Sequence, residues 1–140
     1  MVRGMGAWDV GPFDNDDAAD WSYAFEGLDR ESGLHFLSET IATTESIPID
    51  ADIGAAVVAA AAVVAWLNGD TNHRASVYAE TVAAWVDANP GAPSAELVSR
   101  AREALSRVAS DRSELAALWR ESGDEAWRGE LQRIDAALAG

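Results

Sequence analysis

Cysteine is absent from the 140 residues of this chain. That absence alone excludes disulfides, thiolate nucleophiles and cysteine-bound zinc, and it suits a reducing cytoplasm. Lysine is absent too: all ten basic side chains are arginine, against 24 carboxylates, for a net charge of −14. With 29 alanines alongside, the use of Arg for Lys reads as the coding bias of a GC-rich genome, a saline habitat being the second explanation. Long hydrophobic runs are also missing. The longest, Ile53–Leu67, falls short of the roughly 20 residues that a helix needs to span a bilayer. Acidic residues flank it (Asp50, Asp52 and Asp70), so it reads as a buried core helix. The first residues lack the basic, apolar, small-residue order of a secretory leader, and the expected location is cytoplasmic.

What is present suffices for one folded unit. A chain of this length can bury a core without staples, and an apolar fraction of 49% is ordinary for a globular protein. The charge is unevenly placed. Residues 1–52 hold twelve carboxylates against Arg3 and Arg30, whereas residues 96–140 hold nine against seven arginines. An acidic first third repels phosphate backbones and anionic headgroups, so neither nucleic acid nor a membrane is an expected partner. A basic protein or a cation is electrostatically welcome.

Periodicity predicts helices throughout and no strand. Residues 1–13 are irregular, broken by Gly4, Gly6, Gly11 and Pro12. Asp14, with Asp17 in box spacing, is expected to cap a first helix that carries Ala18, Trp21, Phe25 and Leu28 inward and ends near Arg30, before Gly33. Phe13 should staple against its first turn. A second helix is expected over 34–45. An extended link at 46–49 follows, because Pro48 disfavours helix in the residue before it. Asp50 should then cap the Ala/Val-rich helix that stops at Asn68-Gly69. After a polar loop at 70–74, helices are expected over 75–88 and from Ser94 through Val108, with Asp111 and Glu114 recapping the segment that Gly123 closes. The last helix spaces Trp127, Leu131, Ile134 and Leu138 along one face. The expected fold is all-α: residues 1–140 as a single compact bundle of about five to six helices around the central Ala/Val-rich one.

The stretch Gly6-Ala7-Trp8-Asp9-Val10-Gly11-Pro12-Phe13-Asp14-Asn15-Asp16-Asp17-Ala18-Ala19-Asp20-Trp21 resembles the opening of a bacterial family, domain of unknown function 4259. The resemblance continues in Ala55–Leu67, Ala84-Trp85-Val86, Ser113-Glu114-Leu115, Leu118 to Ser122 and Trp127. Its specific part is Phe-Asp-Asn-Asp. Asp9 stands where the family more often has Gly, and the family pattern begins at the Met before Gly-Ala-Trp, which implies Met5 as a natural start. The resemblance implies no particular activity.

The candidate binding residues are therefore Trp8, Asp14, Asn15, Asp16, Asp17 and Asp20, the densest set of chemical groups in the chain. Their oxygens suit a hard divalent cation, but the spacing is not that of an EF-hand loop, and capping plus a solvated acidic face explains them without a ligand. Paired carboxylates can also serve acid–base chemistry, though nothing in the sequence places a substrate cleft beside them. His35 and His73 stand alone, outside any metal-binding or triad context. No P-loop, dinucleotide-binding glycine fingerprint or nucleophile elbow occurs, so no catalytic residue, metal or cofactor is expected. Six tryptophans is a high number: Trp21, Trp85, Trp119 and Trp127 fall on helical apolar stripes and read as core, while Trp8 lies in irregular chain. The expectation is a non-enzymatic interaction module, in the manner of an inhibitor or immunity-type protein, for a basic partner. A small-ligand or cation-binding protein or enzyme built on the acidic cluster is the alternative, and a mimic of nucleic-acid charge is a third reading. A monomer or a weak homodimer through Trp119–Leu138 is expected.

Overall fold

A computed structural model describes residues 11–46, 48–70 and 79–140. The described chain is helical: α1 (Asp16–Ser22), α2 (Arg30–Ala42), α3 (Ala51–Leu67), α4 (Glu80–Ala88), α5 (Ala95–Val108), α6 (Glu114–Ser122) and α7 (Glu125–Ala139). Short 3₁₀ turns follow α1 at Tyr23–Phe25 and α2 at Thr43–Glu45. Backbone pairing of β type is limited, among the described residues, to one parallel bridge between Ile49 and Ser113.

The seven described helices outnumber the expected five to six because the segment from Ser94 to Gly123 divides into α5 and α6; the expected first helix also stops at Ser22, short of Arg30, where α2 begins. Gly27, at φ +80°, turns the chain before Arg30. Asp29 then opens α2 by accepting the Ser32 N–H at 2.8 Å. Helix α2 runs straight through Gly33, which the sequence presents as a break. The glycine is there for room, since a Cβ at this position would overlap the indole of Trp85.

Two expected caps are also corrected. Asp50 holds the N-cap position of α3 but its side chain makes no capping bond. Instead Ala51 N–H donates to the Glu114 carboxylate at 2.8 Å. This exchange is possible because Ile49 N–H donates to Arg112 O (2.9 Å) and Glu114 N–H to Ile49 O (2.8 Å), which ties the first turn of α6 to the entrance of α3. Asp111 does not recap α6. It is exposed and lies 3.9 Å from Arg120, while Ser113 accepts the Ala116 N–H at 3.2 Å. Other boundaries agree with expectation. Ser94 accepts the Leu97 N–H at 3.1 Å. At Asn68-Gly69 the chain leaves α3 with Gly69 at φ +112°, Gly69 N–H donating to Trp66 O at 3.1 Å and Asp70 N–H to Ala65 O at 2.9 Å, the double closure that a left-handed glycine permits. The helix expected over 75–88 is described from Glu80 to Ala88, with Ala79 at its N-cap; residues 75–78, Val77 among them, lie outside the described residues.

Helix α3 is the hub. Every residue from Val57 to Leu67 is buried, more than three turns with no solvent face, and α3 touches each of the other six helices. Alanine at five of these eleven positions lets neighbours approach closely. Around one flank Trp21, Phe25, Phe36 and Trp85 form a continuous aromatic group with ring centroids 5.0–5.4 Å apart, a spacing at which each pair adds about 0.5–1.5 kcal/mol beyond burial. Both indole N–H groups of this aromatic group are satisfied, that of half-buried Trp21 by Thr40 Oγ1 at 3.0 Å and that of buried Trp85 by Asp29 O at 3.3 Å. The last helix buries Trp127, Leu131, Ile134 and Leu138 as its spacing predicts. No helix among the described residues is long and apolar enough to cross a membrane.

Candidate functional site

The acidic segment begins in a tight turn. Asp14 N–H donates to Gly11 O at 3.1 Å, and the Asp14 carboxylate folds back so closely that a Cβ on Gly11 would overlap it. Phe13 is buried between these residues. It meets Trp66 of α3 at 5.3 Å between centroids, so it anchors the segment to the hub helix.

The cap of α1 is Asn15 and not Asp14. Asn15 has the extended backbone of an N-cap, φ −147° and ψ 159°, and its Oδ1 accepts the Ala18 N–H at 2.8 Å. Asp14 is taken up by the Gly11 turn, one residue too early to reach the free amides. Two of the six candidates thus have a structural role. Trp8 lies outside the described residues.

Asp16, Asp17 and Asp20 are exposed on α1. Helix α1 lies against α3, and this brings Asp52, in the first turn of α3, into the same field. The Asp17 carboxyl is held above its ordinary value, first by partial burial and then by the negative charges of Asp52, Asp20 and Asp16. Asp52 is the member that sequence reasoning misses. It lies more than thirty residues away in the chain, and only the packing of α1 on α3 joins it to the others. Among the described residues, no arginine comes within ion-pairing distance of Asp16, Asp17, Asp20 or Asp52. The arginines near carboxylates are engaged elsewhere, most tightly in the pairs Arg128–Asp124 at 2.6 Å, Arg102–Asp135 at 2.9 Å and Arg133–Glu130 at 2.9 Å.

These carboxylates form a charged surface. His35 is exposed on α2 with its Nε2 3.2 Å from Glu39, and His73 lies outside the described residues. No three His, Asp or Glu side chains among the described residues are arranged to hold a metal ion. Among the described residues, grooves lie between α5 and α7, around the Arg102–Asp135 pair, and between α2 and α5.

No curated protein and no solved structure matches the chain. One family model does, that of the "Domain of unknown function (DUF4259)", over residues 6–130. That match spans the Phe-Asp-Asn-Asp opening, the hub helix and the start of α7, and the chain therefore belongs to the domain of unknown function 4259 family.

Proposed function

We propose that the chain is a non-enzymatic interaction module whose acidic face, where α1 and α3 begin, docks a basic protein partner. The observation that carries this reading is geometric: α1 packs on α3 and gathers Asp16, Asp17, Asp20 and Asp52 on one exposed acidic face, where partial burial and like charges raise the Asp17 pKa and no described arginine is placed to neutralise them. A cationic side chain from a partner would relieve that repulsion and gain a charge-assisted contact. The surrounding field, from a chain of net charge −14, would speed the encounter, an effect worth about 10- to 1000-fold in association rate for well-matched surfaces. An inhibitor or immunity-type protein that covers a basic surface is the form such a module takes. The cysteine-free composition agrees with a bacterial cytoplasm as its setting.

The test is recovery of a partner with the tagged chain, followed by binding measured at low and high salt. The Asp16→Asn, Asp17→Asn, Asp52→Asn triple variant should lose most of the affinity, and a Glu121→Gln, Glu125→Gln control should retain it. A partner that is acidic, or that binds the triple variant as well as the parent, contradicts the proposal.

A further inference from the structure

The cleft between α2 and the start of α5 collects positive charge in an otherwise acidic molecule. It encloses about 230 Å³, and its polar wall consists of Arg30 and Ser38 from α2 with Ser94, Glu96 and Arg100 from the α5 side. At roughly 30 Å³ per water molecule, that is room for one tetrahedral oxyanion with part of its hydration shell.

Arg30 is the unusual member. It is half-buried, and no carboxylate among the described residues lies within ion-pairing distance. Main-chain carbonyls hold its guanidinium: Nη1 donates to Asn89 O at 2.6 Å and to Pro90 O at 3.2 Å, and Nη2 to Gly91 O at 3.3 Å. Gly91 leaves space for this, since a Cβ there would stand 3.2 Å from Nη2. Carbonyls orient the fork but carry no formal charge, so the unit positive charge remains. Of the five N–H donors of a guanidinium, three are engaged in these bonds. Arg100 is held in a similar way, its Nη1 donating to Ser38 Oγ at 3.0 Å. Unlike Arg30, Arg100 also has a carboxylate partner, Glu45, whose Oε2 lies 3.7 Å from Nη2 in a largely exposed ion pair that solvent screens and a bound oxyanion would displace. Helix α5 has fourteen residues, and its amino end adds partial positive charge to the same cleft.

We infer that this cleft binds a phosphate-class oxyanion, with Arg30 and Arg100 as its two guanidinium contacts and Ser38 holding Arg100 in place. Two guanidinium groups lining one cleft suit a doubly charged oxyanion better than a monoanion. Glu96 is the opposing charge on the wall and keeps the affinity modest. The acidic surface elsewhere excludes polymeric phosphates without closing the cleft to a small one.

Calorimetry and thermal shift with inorganic phosphate and with glycerol phosphate, each against chloride at matched ionic strength, test this. Phosphate should bind one-to-one and raise the melting temperature above the chloride value. A preference for glycerol phosphate would identify a phosphoryl group on a small metabolite as the ligand, and equal binding the free ion. Arg100→Gln should weaken binding at least about tenfold, the value of a charge-assisted hydrogen bond. Glu96→Gln should tighten it severalfold, an effect of opposite sign that a damaged fold cannot imitate. Absence of any phosphate-specific heat and shift overturns the inference, as does binding that neither substitution changes.

Discussion

Gly33→Ala sets two physical effects against each other. In the interior of an exposed helix, replacing Gly by Ala stabilises by roughly 1 kcal/mol, because alanine loses less backbone freedom on folding. Gly33, however, is buried in α2, and a Cβ there would overlap the Trp85 ring. Trp85 has little room to retreat. It is 4% exposed, its ring lies 5.0 Å from that of Phe25, and its Nε1 donates to Asp29 O at 3.3 Å. Overpacking costs about 1–3 kcal/mol, and losing the indole hydrogen bond about 0.5–1.5 kcal/mol. Set against the propensity gain, the net loss is about 0.5–3.5 kcal/mol. The control is Gly129→Ala in α7, where the position is exposed and an added Cβ meets nothing within 4 Å. That variant should gain up to about 1 kcal/mol. Urea denaturation followed by tryptophan fluorescence reads both, and near this chain length each kcal/mol moves the melting temperature by roughly 2–4 °C. If Gly33→Ala is as stable as the parent, the indole does not occupy that space and the account of why α2 continues through a glycine is wrong.

Asn15→Ala should cost about 0.5–2 kcal/mol as a lost helix cap, and Asp16→Ala less, because relief of repulsion at Asp17 offsets its dipole contribution. Denaturation of both variants side by side checks the order. In the hub, Ala60→Leu and Ala61→Leu, at fully buried positions, should each cost about 1–3 kcal/mol; unchanged melting of both would contradict the placement of α3. The pH dependence has a definite sign. The folded pKa of Asp17 lies above its unfolded value, so its favourable contribution is complete in acid, below the ordinary carboxylate value, and is lost as pH rises through the folded value. Asp17→Asn should therefore stabilise at neutral pH, with the gain vanishing in acid; a difference independent of pH would refute the assigned charge repulsion. Asp29 is shifted the opposite way, lowered by its bonds from Ser32, so its contribution holds above the ordinary carboxylate value and is lost as pH falls through the folded one. Finally, Ca²⁺ or Mg²⁺ should leave the melting temperature unchanged. A rise abolished by Asp16→Ala would turn the acidic face into a cation site.

Sequence by itself determined the class of fold and the identity of the hub. Fifteen apolar residues between aspartates can be satisfied in water only by burial on all sides, and three-and-four spacing admits no strand. It also determined the signals that act within one turn, such as Ser94 as a cap and Asn68-Gly69 as a stop, since a cap or stop is a bond between near neighbours. Even there it missed by one residue at Asp14, because a carboxylate and an amide compete for the same amides and the Gly11 turn decides between them. Tertiary structure alone decided what depends on distant partners. Gly33 continues a helix because Trp85 lies over it, Glu114 caps α3 from another helix, and Asp52 joins the acidic face only because α1 packs on α3. Arg30 and Arg100, seventy positions apart, meet across one cleft for the same reason. Charge and hydrogen-bond energies act over a few ångströms of space, and chain order leaves those ångströms undetermined until the helices have packed.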